Sequence, residues 1–444
     1  MPKELNRKTV PIQKRPVKIL QFGAGNFLRG FCDWMVDILN EKTGFNGNVH
    51  IIQPIRRGKG SEIDKQDGLF HVVLKDQQVN EHRLITCVDS VINPFDDPEK
   101  FLSLAENPDL EFVFSNTTEA GIIFNEKDND TFPGRATALL YRRYQKLPSK
   151  GLTFLPTELI EKNGATLKAV IHQYIDSWKL PTEFKNWVNS NVIFCNTLVD
   201  RIVTGYQDIS QITGYDDKFT VMAESYHLWV IEAPEHVRKS IPFDDAPLNV
   251  LFVKDLTPYR TRKVRILNGA HTTLVPVAWL KGLRTVRESV EDLEVGNYLL
   301  KAIHEEIIPT LDLPKEELTS FADDVMDRFR NPFIKHELVN ISLNSISKYR
   351  VRVLPSVLRY IELKNQLPKR LLYSLAALIK LYQTQVKDTP EVAEFFQRAW
   401  AGNDAIHAAK AVLGNKDFWG QDLNEIPGLN KLVTEDLKVL DVSA

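Results

Sequence analysis

The chain has 444 residues, of which 43% are hydrophobic and 26% are charged, and it carries a formal net charge of −2 at pH 7. This length exceeds what one hydrophobic core usually supports and predicts two domains, while the near-neutral charge gives no reason to expect nucleic acid or an anionic membrane as a partner. The three cysteines include no CxxC pair, the start of the chain is basic without an apolar h-region, and no apolar run is long enough to span a membrane, so we expect a cytoplasmic protein without a disulfide framework, a secretory signal or a membrane segment.

The first predicted element is a short apolar strand at residues 17–22, which runs into a glycine turn and then an amphipathic helix. Glycines let a pyrophosphate approach the backbone closely, and the N-terminus of the helix offers N–H groups and a positive dipole end. A turn without a ligand is the alternative, because Leu28 stands where a GxGxxG motif would have its third glycine. The candidate cofactor-binding residues are Phe22, Gly23, Ala24, Gly25, Asn26 and Phe27.

The second predicted strand, at residues 48–53, ends in Gln53, a further candidate cofactor-binding residue. An NAD site usually has Asp or Glu near this point, where the carboxylate binds the ribose hydroxyls. Here the acid is missing and Arg56 and Arg57 follow. The residues therefore leave both NAD and NADP open, and both arginines are solvated loop residues in the alternative interpretation.

A polar loop follows the strand predicted at residues 110–115. Ligands bind at the carboxyl ends of parallel strands, so we expect this loop to lie near a nicotinamide. Asn116 and Thr117 are candidates for binding the cofactor, and Glu119 is a candidate for exchanging protons with solvent. An ordinary polar turn is the alternative for Glu119.

The other elements before residue 255 alternate between strands and helices, with a hairpin at 69–74 and 82–86 that we expect to be inserted into the sheet. Further helices are predicted at 98–106, 135–145 and 159–177, and further strands at 152–155, 192–195, 219–231 and 248–253. This order predicts an α/β fold, with a Rossmann-like doubly wound parallel sheet with inserts in a domain at 1–255. Asn196, Thr197 and Arg201 follow one of these strands and are candidate substrate-binding residues.

After Pro258 helical periodicity dominates, which predicts a mainly α-helical C-terminal domain at 256–444. The predicted helices lie at 261–274, 290–306, 316–328, 334–346, 370–384, 390–412 and 429–439. Because candidate chemistry falls in both domains, we expect the active site in the cleft between them.

The first of these helices contains Lys263, Asn268 and His271. A lysine amine with a lowered pKa can take a hydroxyl proton, and amide and imidazole donors can hold an oxygen as it gains charge. On an ideal helical wheel the three positions fall at roughly 0°, 140° and 80°, so all three can point toward one side. The alternative is a solvated basic helix face with a structural histidine, but Ile266, Leu267 and the following apolar run indicate a buried segment.

A second polar cluster runs from Arg328 to His336, with Lys348 beyond it. Arginine and lysine recognise carboxylate or phosphate groups, so Arg328, His336 and Lys348 are candidate substrate-binding residues. The alternative is a helix junction at Pro332 with solvated basic residues. No HExxH or comparable ligand pair occurs in the chain, so we predict no catalytic metal.

Four sequence blocks together resemble the long-chain mannitol dehydrogenase family of polyol and sugar-acid oxidoreductases. They are FGAGNFLRGF at residues 22–31, NTTEAG at 116–121, Lys263 with Asn268 and His271, and RFRNPFIKH at 328–336. The resemblance implies metal-independent, NAD-dependent hydride transfer on a small sugar acid.

The resemblance also implies roles for individual residues. Lys263 would be the general base, Asn268 and His271 would polarise the carbonyl oxygen, and Glu119 would end a proton path. Arg328 and His336 match substrate-contacting positions. Family members often have a second oxyanion asparagine after the strand that here ends at Cys195, and both Asn196 and Thr197 stand near that place.

Two other functions remain open from the sequence. A mannitol- or fructuronate-type reductase would differ in its anion pocket, for which Arg201, Arg328, Lys335 and Lys348 are the available cations. A nucleotide-sensing protein without turnover is a different class, and the retained Lys263, Asn268 and His271 argue against it. The sequence makes no prediction of the oligomeric state.

Overall fold

In the computed structural model the described residues are 2–53, 55–56, 58, 60–128, 130–383, 387–402 and 404–442, with the backbone alone described at 61, 119, 441 and 442. The chain divides into two compact units, Met1–Leu256 and Thr257–Ala444. The sequence pattern places the corresponding boundary after residue 255.

The first unit contains the strands of the structure. They are β1 Lys3–Glu4, β2 Val17–Phe22, β3 Asn48–Ile52, β4 Phe70–Lys75, β5 Asn80–Ile85, β6 Val88–Ile92, β7 Phe112–Ser115, β8 Thr153–Pro156, β9 Ile193–Phe194, β10 Asn196–Asp200, β11 Tyr215–Asp216, β12 Val221–Ala223, β13 Leu228–Glu232 and β14 Val250–Val253. Six of them form the central sheet in the order β6-β3-β2-β7-β8-β9, and every neighbouring pair is parallel. Counted along this sheet, the order is 3-2-1-4-5-6, which is the Rossmann order, and the predicted fold class is confirmed.

Alternate side chains of the central strands enter two separate cores. Ile19, Ile51 and Phe114 pack on one face with residues of the helix that follows the glycine turn. Leu20 and Val113 pack on the other face with the helices that follow β7 and β8. The alternation is the period of two that a strand imposes, and helices on both faces make the sheet doubly wound.

The smaller sheets lie outside this central sheet. The predicted hairpin, β4 with β5, forms a three-stranded sheet in which β12 pairs with β4 in parallel. The prediction that the hairpin is inserted into the main sheet is therefore wrong. β13 pairs antiparallel with β10 and parallel with β14, while β1 pairs with β11.

The first unit also contains helices. They are α1 Asn26–Leu28, α2 Trp34–Lys42, α3 Pro98–Ser103, α4 Phe132–Lys146, α5 Asn163–Ser177, α6 Thr182–Asn191, α7 Ser210–Thr213 and α8 Glu235–Ser240, with 3-10 turns at Gly60–Gln66, Leu104–Glu106, Glu119–Gly121 and Phe243–Asp245. A π-helical turn, Arg29–Asp33, joins α1 to α2 without a break. The predicted helix after the glycine turn is thus one continuous element with a wider turn near its start.

The second unit is built of helices, as predicted. They are α9 Thr257–Arg262, α10 Gly269–Leu280, α11 Val286–Glu291, α12 Leu293–Lys301, α13 Lys315–Phe329, α14 Leu338–Ile341, α15 Ser345–Arg352, α16 Leu354–Lys364, α17 Lys369–Leu381, α18 Pro390–Ala399, α19 Ala405–Leu413, α20 Lys416–Trp419 and α21 Leu429–Val442. π-helical turns lie at Lys263–Asn268 and Ala302–Ile307, and 3-10 turns at Ile308–Thr310 and Leu423–Glu425. Within the described residues, no helix is both long enough and apolar enough to cross a membrane.

The single helix predicted at 334–346 is wrong, because within that range only Leu338–Ile341 and the start of α15 are helical. The chain between Arg330 and Leu338 is non-helical, because the Asn331 side chain accepts a hydrogen bond from the Phe333 amide at 3.0 Å and residue 332 is proline. The His336 carbonyl then accepts a bond from the Val286 amide at 2.9 Å. The backbone of this segment is satisfied by bonds outside a helix.

Candidate active site

The glycine turn closes the carboxyl end of β2 against its two neighbouring strands. Gly23 has φ +128°, and a Cβ atom there would lie 2.7 Å from Cδ1 of Leu28 and 3.2 Å from the carbonyl oxygen of Asn116. The Gly23 amide donates to the Ile52 carbonyl at 3.0 Å, and the Asn116 amide donates to the Phe22 carbonyl at 3.1 Å. Only glycine fits this position, and the turn lies where the strand order reverses, which is where Rossmann sheets bind ligands.

Gly25 leaves an open approach to the first turn of the following helix. It stands at the N-cap of α1, and no atom lies within 4 Å of the place where its Cβ would be. The first amides of the helix therefore face a cradle that a side chain would partly fill. This arrangement fits the pyrophosphate of a dinucleotide.

The other residues of the motif have different surroundings. Phe22 is fully buried and packs its ring against Phe101 and Phe132, so only its backbone is available to the turn. Asn26 accepts a bond from Arg29 at 2.7 Å, and Arg29 also donates to the Ala24 carbonyl at 3.2 Å. These bonds fix the start of the helix from within. The Phe27 ring stacks on Phe31, with 5.0 Å between ring centroids.

A buried carboxylate organises the polar loop after β7. The Glu158 side chain is only 2% exposed and accepts bonds from the Ser115 hydroxyl at 3.0 Å and from the amide and hydroxyl of Thr117 at 2.9 and 3.0 Å. Burial raises the pKa of Glu158. The Asn116 amide group donates to Thr157 beside it. Asn116 and Thr117 are thus held in place at the end of β7.

Glu158 was not among the residues singled out from the sequence. The pattern that could have found it is its position just after β8, at the same sheet edge as the loop it holds. The prediction for Glu119 falls on a side chain outside the described part of the structure. Its backbone lies in a 3-10 turn that follows Thr118, whose φ is +72°. Such a φ is strained for a β-branched residue, and strained backbone often occurs at functional sites.

Gln53 follows the end of β3 and is occupied by its own loop. Its amide donates to the Ile55 carbonyl at 2.9 Å and accepts from the Gly60 amide at 3.0 Å. Arg56 is described and forms an ion pair with Asp130 at 3.1 Å, whereas Arg57 lies outside the described residues. A cavity of about 470 Å³ lies beside this segment and is lined also by Thr117.

Asn196, Thr197 and Arg201 make structural contacts. The Asn196 side chain donates to Glu232 and accepts from the Ala165 amide, and the Thr197 hydroxyl donates to the Pro156 carbonyl. Arg201 is buried against Trp34 and donates to the carbonyls of Gly30 and Glu224, both at 2.9 Å. Burial lowers the pKa of Arg201 to about 9. These bonds tie β10 and the segment after it to the central fold.

In the second unit, the predicted Lys263, Asn268 and His271 lie on the helix that runs from α9 through a π-helical turn into α10. All three side chains are half-buried, while Ile266, Leu267 and most of α10 are buried. The π-helical turn spans Lys263–Asn268, the interval between the first two candidates. An i→i+5 hydrogen bond closes a wider turn, so residue 268 comes closer to the face of residue 263 than in an ideal α-helix. Asn268 and His271 are three residues apart and share a face.

His271 joins the predicted polar cluster. Its ring lies 4.2 Å from the ring of Phe329 and 5.6 Å from the ring of His336, measured between centroids. Burial, and then the charge of Arg328, lower the pKa of His336. The Arg328 side chain is 8% exposed at the end of α13. The structure therefore brings His271, Arg328 and His336 together.

Lys348 and Lys335 lie differently. The Lys348 amine donates to the Ile341 carbonyl at 2.8 Å, and burial lowers its pKa. The helix that carries it, α15, packs against α10 and the π-helical turn. Lys335 is exposed and pairs with Glu337 at 2.8 Å. Among the residues that the structure describes, no cluster of three or more His, Cys, Asp or Glu could hold a metal ion.

Comparisons with known proteins give one consistent result. Residues 17–245 match the mannitol dehydrogenase Rossmann domain, and residues 255–441 match the mannitol dehydrogenase C-terminal domain. The altronate oxidoreductase of Bacillus subtilis (strain 168) is 47% identical over 94% of this chain and 91% of its own length. The altronate oxidoreductase of Phocaeicola vulgatus is 45% identical over 98% of this chain and 96% of its own length.

Two solved structures share the fold. A substrate-free D-sorbitol dehydrogenase has a TM-score of 0.82 at 21% identity, covering 99% of this chain and 98% of its own. The mannitol 2-dehydrogenase of Pseudomonas fluorescens, solved as a ternary complex with NAD and D-mannitol, has a TM-score of 0.70 at 20% identity, covering 99% of this chain and 97% of its own. With both domains matched over nearly the whole sequence, the chain belongs to the mannitol dehydrogenase family.

Proposed function

We propose that this protein interconverts D-altronate and D-tagaturonate by NAD-dependent, metal-independent hydride transfer. In the cell, the reductive direction would serve galacturonate breakdown in a reducing cytoplasm, which the free cysteines favour. The observation that carries the proposal is the similarity, at 42–47% identity over nearly the full chain, to altronate oxidoreductases. The polar residues of the second unit supply the matching chemistry.

The first unit supports the cofactor assignment. The 3-2-1-4-5-6 sheet, Gly23 at the switch point and the open cradle at Gly25 are what a dinucleotide requires. Bound NAD would supply the hydride acceptor in altronate oxidation, and NADH the donor in the reverse direction. Gly25 and the first amides of α1 would hold the pyrophosphate, with Asn116 and Thr117 at the neighbouring strand end.

Lys263 is proposed to move the proton that accompanies the hydride. In altronate oxidation the reacting hydroxyl gives its proton to the Lys263 amine as the hydride leaves the same carbon, and in reduction the ammonium returns it. Asn268 and His271 donate hydrogen bonds to the substrate oxygen, which carries more negative charge as the alkoxide than as the ketone.

Arg328 and His336 are proposed to bind the rest of the sugar acid. Arg328 offers a planar, permanently charged group to the substrate carboxylate. His336 has a lowered pKa and is therefore neutral near pH 7, where it can accept or donate a hydrogen bond to a hydroxyl. Lys348 is a second cation for the carboxylate. The proposal does not use Asn196, Thr197 or Arg201, because their side chains are engaged within the first unit.

A spectrophotometric screen tests this function. Tagaturonate, fructuronate and fructose would each be offered with NADH and with NADPH, and we expect the highest kcat/KM for tagaturonate with NADH. A higher value for fructuronate or fructose would contradict the substrate and indicate a fructuronate- or mannitol-type reductase. Nucleotide binding without turnover on any of the three would indicate a nucleotide-sensing protein.

A further inference from the structure

The cavity of about 470 Å³ in the first unit is lined in part by two exposed isoleucine side chains. Ile55, after β3, and Ile123, after β7, both line it and expose 58% and 50% of their surfaces. Two large aliphatic side chains left exposed around one cavity indicate a ligand with an apolar face. Under the proposed function, the adenine of the dinucleotide is such a group, since it lies beyond the carboxyl ends of these strands.

The charged wall of the same cavity centres on Asp130. Its two carboxylate oxygens accept from Arg56 at 3.1 Å and from Arg135 at 2.9 Å, and the Arg135 Nε donates to its carbonyl at 3.2 Å. Both guanidinium groups also lie over the ring of Phe95, at 4.5 and 4.1 Å from its centroid. Arg56 is therefore already paired, and Asp128 adds a second carboxylate to the lining.

In NAD sites the end of the second strand usually carries an Asp or Glu that binds the ribose hydroxyls, but this chain has Gln53 at that position. Gln53 is 3% exposed, and both polar atoms of its amide are bonded to residues 55 and 60 of its own loop. Turning the amide toward the cavity would break both bonds, each of which contributes to closing that loop. The Gln53 side chain is therefore not available to distinguish NAD from NADP.

We propose that Asp130, from the segment before α4, takes over this role and makes the protein select NAD over NADP. It does so in two ways: it holds Arg56, which would otherwise attract a 2′-phosphate, and its own charge repels that phosphate. This inference depends on the proposed function, because it assumes that the cavity receives the adenosine end of the cofactor.

Binding of NADH and NADPH to the full-length protein, measured by calorimetry without substrate, tests the inference. For the unaltered protein we expect NADH to bind at least about 100-fold more tightly. In Asp130→Asn we expect NADPH affinity to rise about tenfold or more, with NADH affinity within a few-fold of its original value. Glu126→Gln, which removes one charge from the same loop outside the cavity lining, is the matched control and should leave the ratio unchanged.

Arg56 separates the two parts of the mechanism. In Asp130→Asn with Arg56→Ala, most of the gain in NADPH affinity should disappear, because the released guanidinium is gone. Arg56→Ala alone should leave NADPH binding as weak as before or weaker, because the Asp130 charge then stands without this partner, and a gain in NADPH affinity would overturn the inference. This single variant also decides the matter if loss of the Arg135 contact unfolds Asp130→Asn.

Equal affinity of the unaltered protein for both nucleotides would overturn the inference, as would an unchanged ratio in a folded Asp130→Asn. Failure of the unaltered protein to bind either nucleotide would instead overturn the proposed function. The two failures are therefore distinguishable in one set of titrations.

Discussion

At the scale of single residues, local backbone geometry changes how the candidate residues Lys263 and Asn268 face each other. In an ideal α-helix, two residues five positions apart point in directions that differ by roughly 140° around the helix axis. The backbone between them is a π-helical turn, and residues five apart in such a turn come closer to one face. Periodicity predicts the helix, but it does not distinguish a π-helical turn from an α-helical one, so the sequence places Asn268 farther from the face of Lys263 than the structure does.

The contacts of individual side chains also divide the polar candidate residues into two groups. His271 and His336 are 65 positions apart in sequence and pack ring to ring. Asn196, Thr197 and Arg201 looked equally suitable in sequence but are bonded to backbone carbonyls and to Glu232. The sequence shows that a residue has the right chemistry, whereas its bonding partners depend on contacts that are distant along the chain.

Arg328→Gln should raise the KM for tagaturonate by about 10- to 100-fold, which corresponds to the loss of a hydrogen bond between charged groups. Affinity for NADH should be unchanged. Arg330→Gln, two residues away and paired with Asp327, is the control. Steady-state kinetics decide the question, and an unchanged KM in Arg328→Gln would remove this residue from the substrate site.

At the scale of elements, the two glycines of the turn differ in what surrounds them, which makes them a matched pair. Gly25→Ala should fold normally, since its φ is −68° and no atom is within 4 Å of the added Cβ, yet bind NADH at least about tenfold more weakly by blocking the cradle. Gly23→Ala should instead destabilise the protein by about 2 kcal/mol because of its positive φ and its contacts. Thermal melting and nucleotide titration distinguish them; normal nucleotide binding by Gly25→Ala would argue against the pyrophosphate site.

The π-helical turn beneath the glycine motif contains a buried acid. Burial raises the pKa of Asp33 to about 7, and its side chain contacts Gln21, which donates in turn to the Gly23 carbonyl. Between pH 3.8 and about 7, Asp33 is therefore protonated in the folded protein but ionised in the unfolded chain. Stability from this group is present at low pH and is lost as pH rises through that window.

Asp33→Asn mimics the protonated acid and should remove this dependence. Relative to the unaltered protein, we expect the free energy of unfolding of Asp33→Asn to increase by on the order of 4 kcal/mol from pH 4 to pH 7. Above pH 7 the difference between the two proteins should stay constant. Thermal unfolding across pH measures the difference, with Asp109→Asn as an exposed control in the same unit. Parallel pH profiles for Asp33→Asn and the unaltered protein would contradict the assignment.

Elements with strong local patterns were predicted well, and those that depend on distant contacts were not. The strand β2 and the glycine turn follow directly from an apolar run and glycines. β6 was missed, because VDSVI is short and its partner, β3, lies about 40 residues earlier. The hairpin of β4 and β5 was found, but its place in a separate sheet depends on pairing with β12, far along the chain.

At the scale of the whole molecule, each unit contributes a different part of the proposed reaction. The first unit carries the nucleotide-binding sheet, and the second carries Lys263, Asn268 and His271. Composition and periodicity were enough to predict one α/β unit and one helical unit, because each has its own local pattern. The sheet order could not be read from them, since it is a property of pairings between distant strands.

Activity should survive exhaustive treatment with EDTA, because in the proposed mechanism an ammonium and neutral donors perform the proton transfer and charge stabilisation that a metal would otherwise provide. Tagaturonate reduction measured before and after dialysis against the chelator is the test. Activity lost on dialysis and restored by zinc would reveal a metal site and refute the proposed mechanism.

The most direct test of the whole account is a single-turnover measurement on Lys263→Ala. The protein would be loaded with NADH, mixed with tagaturonate and followed by the loss of NADH absorbance, with NADH affinity measured in parallel. We predict that hydride transfer slows by about 10²–10⁴-fold while NADH affinity stays near that of the unaltered protein. An unchanged rate, or an equal loss of NADH binding, would contradict the role of Lys263 as the proton carrier.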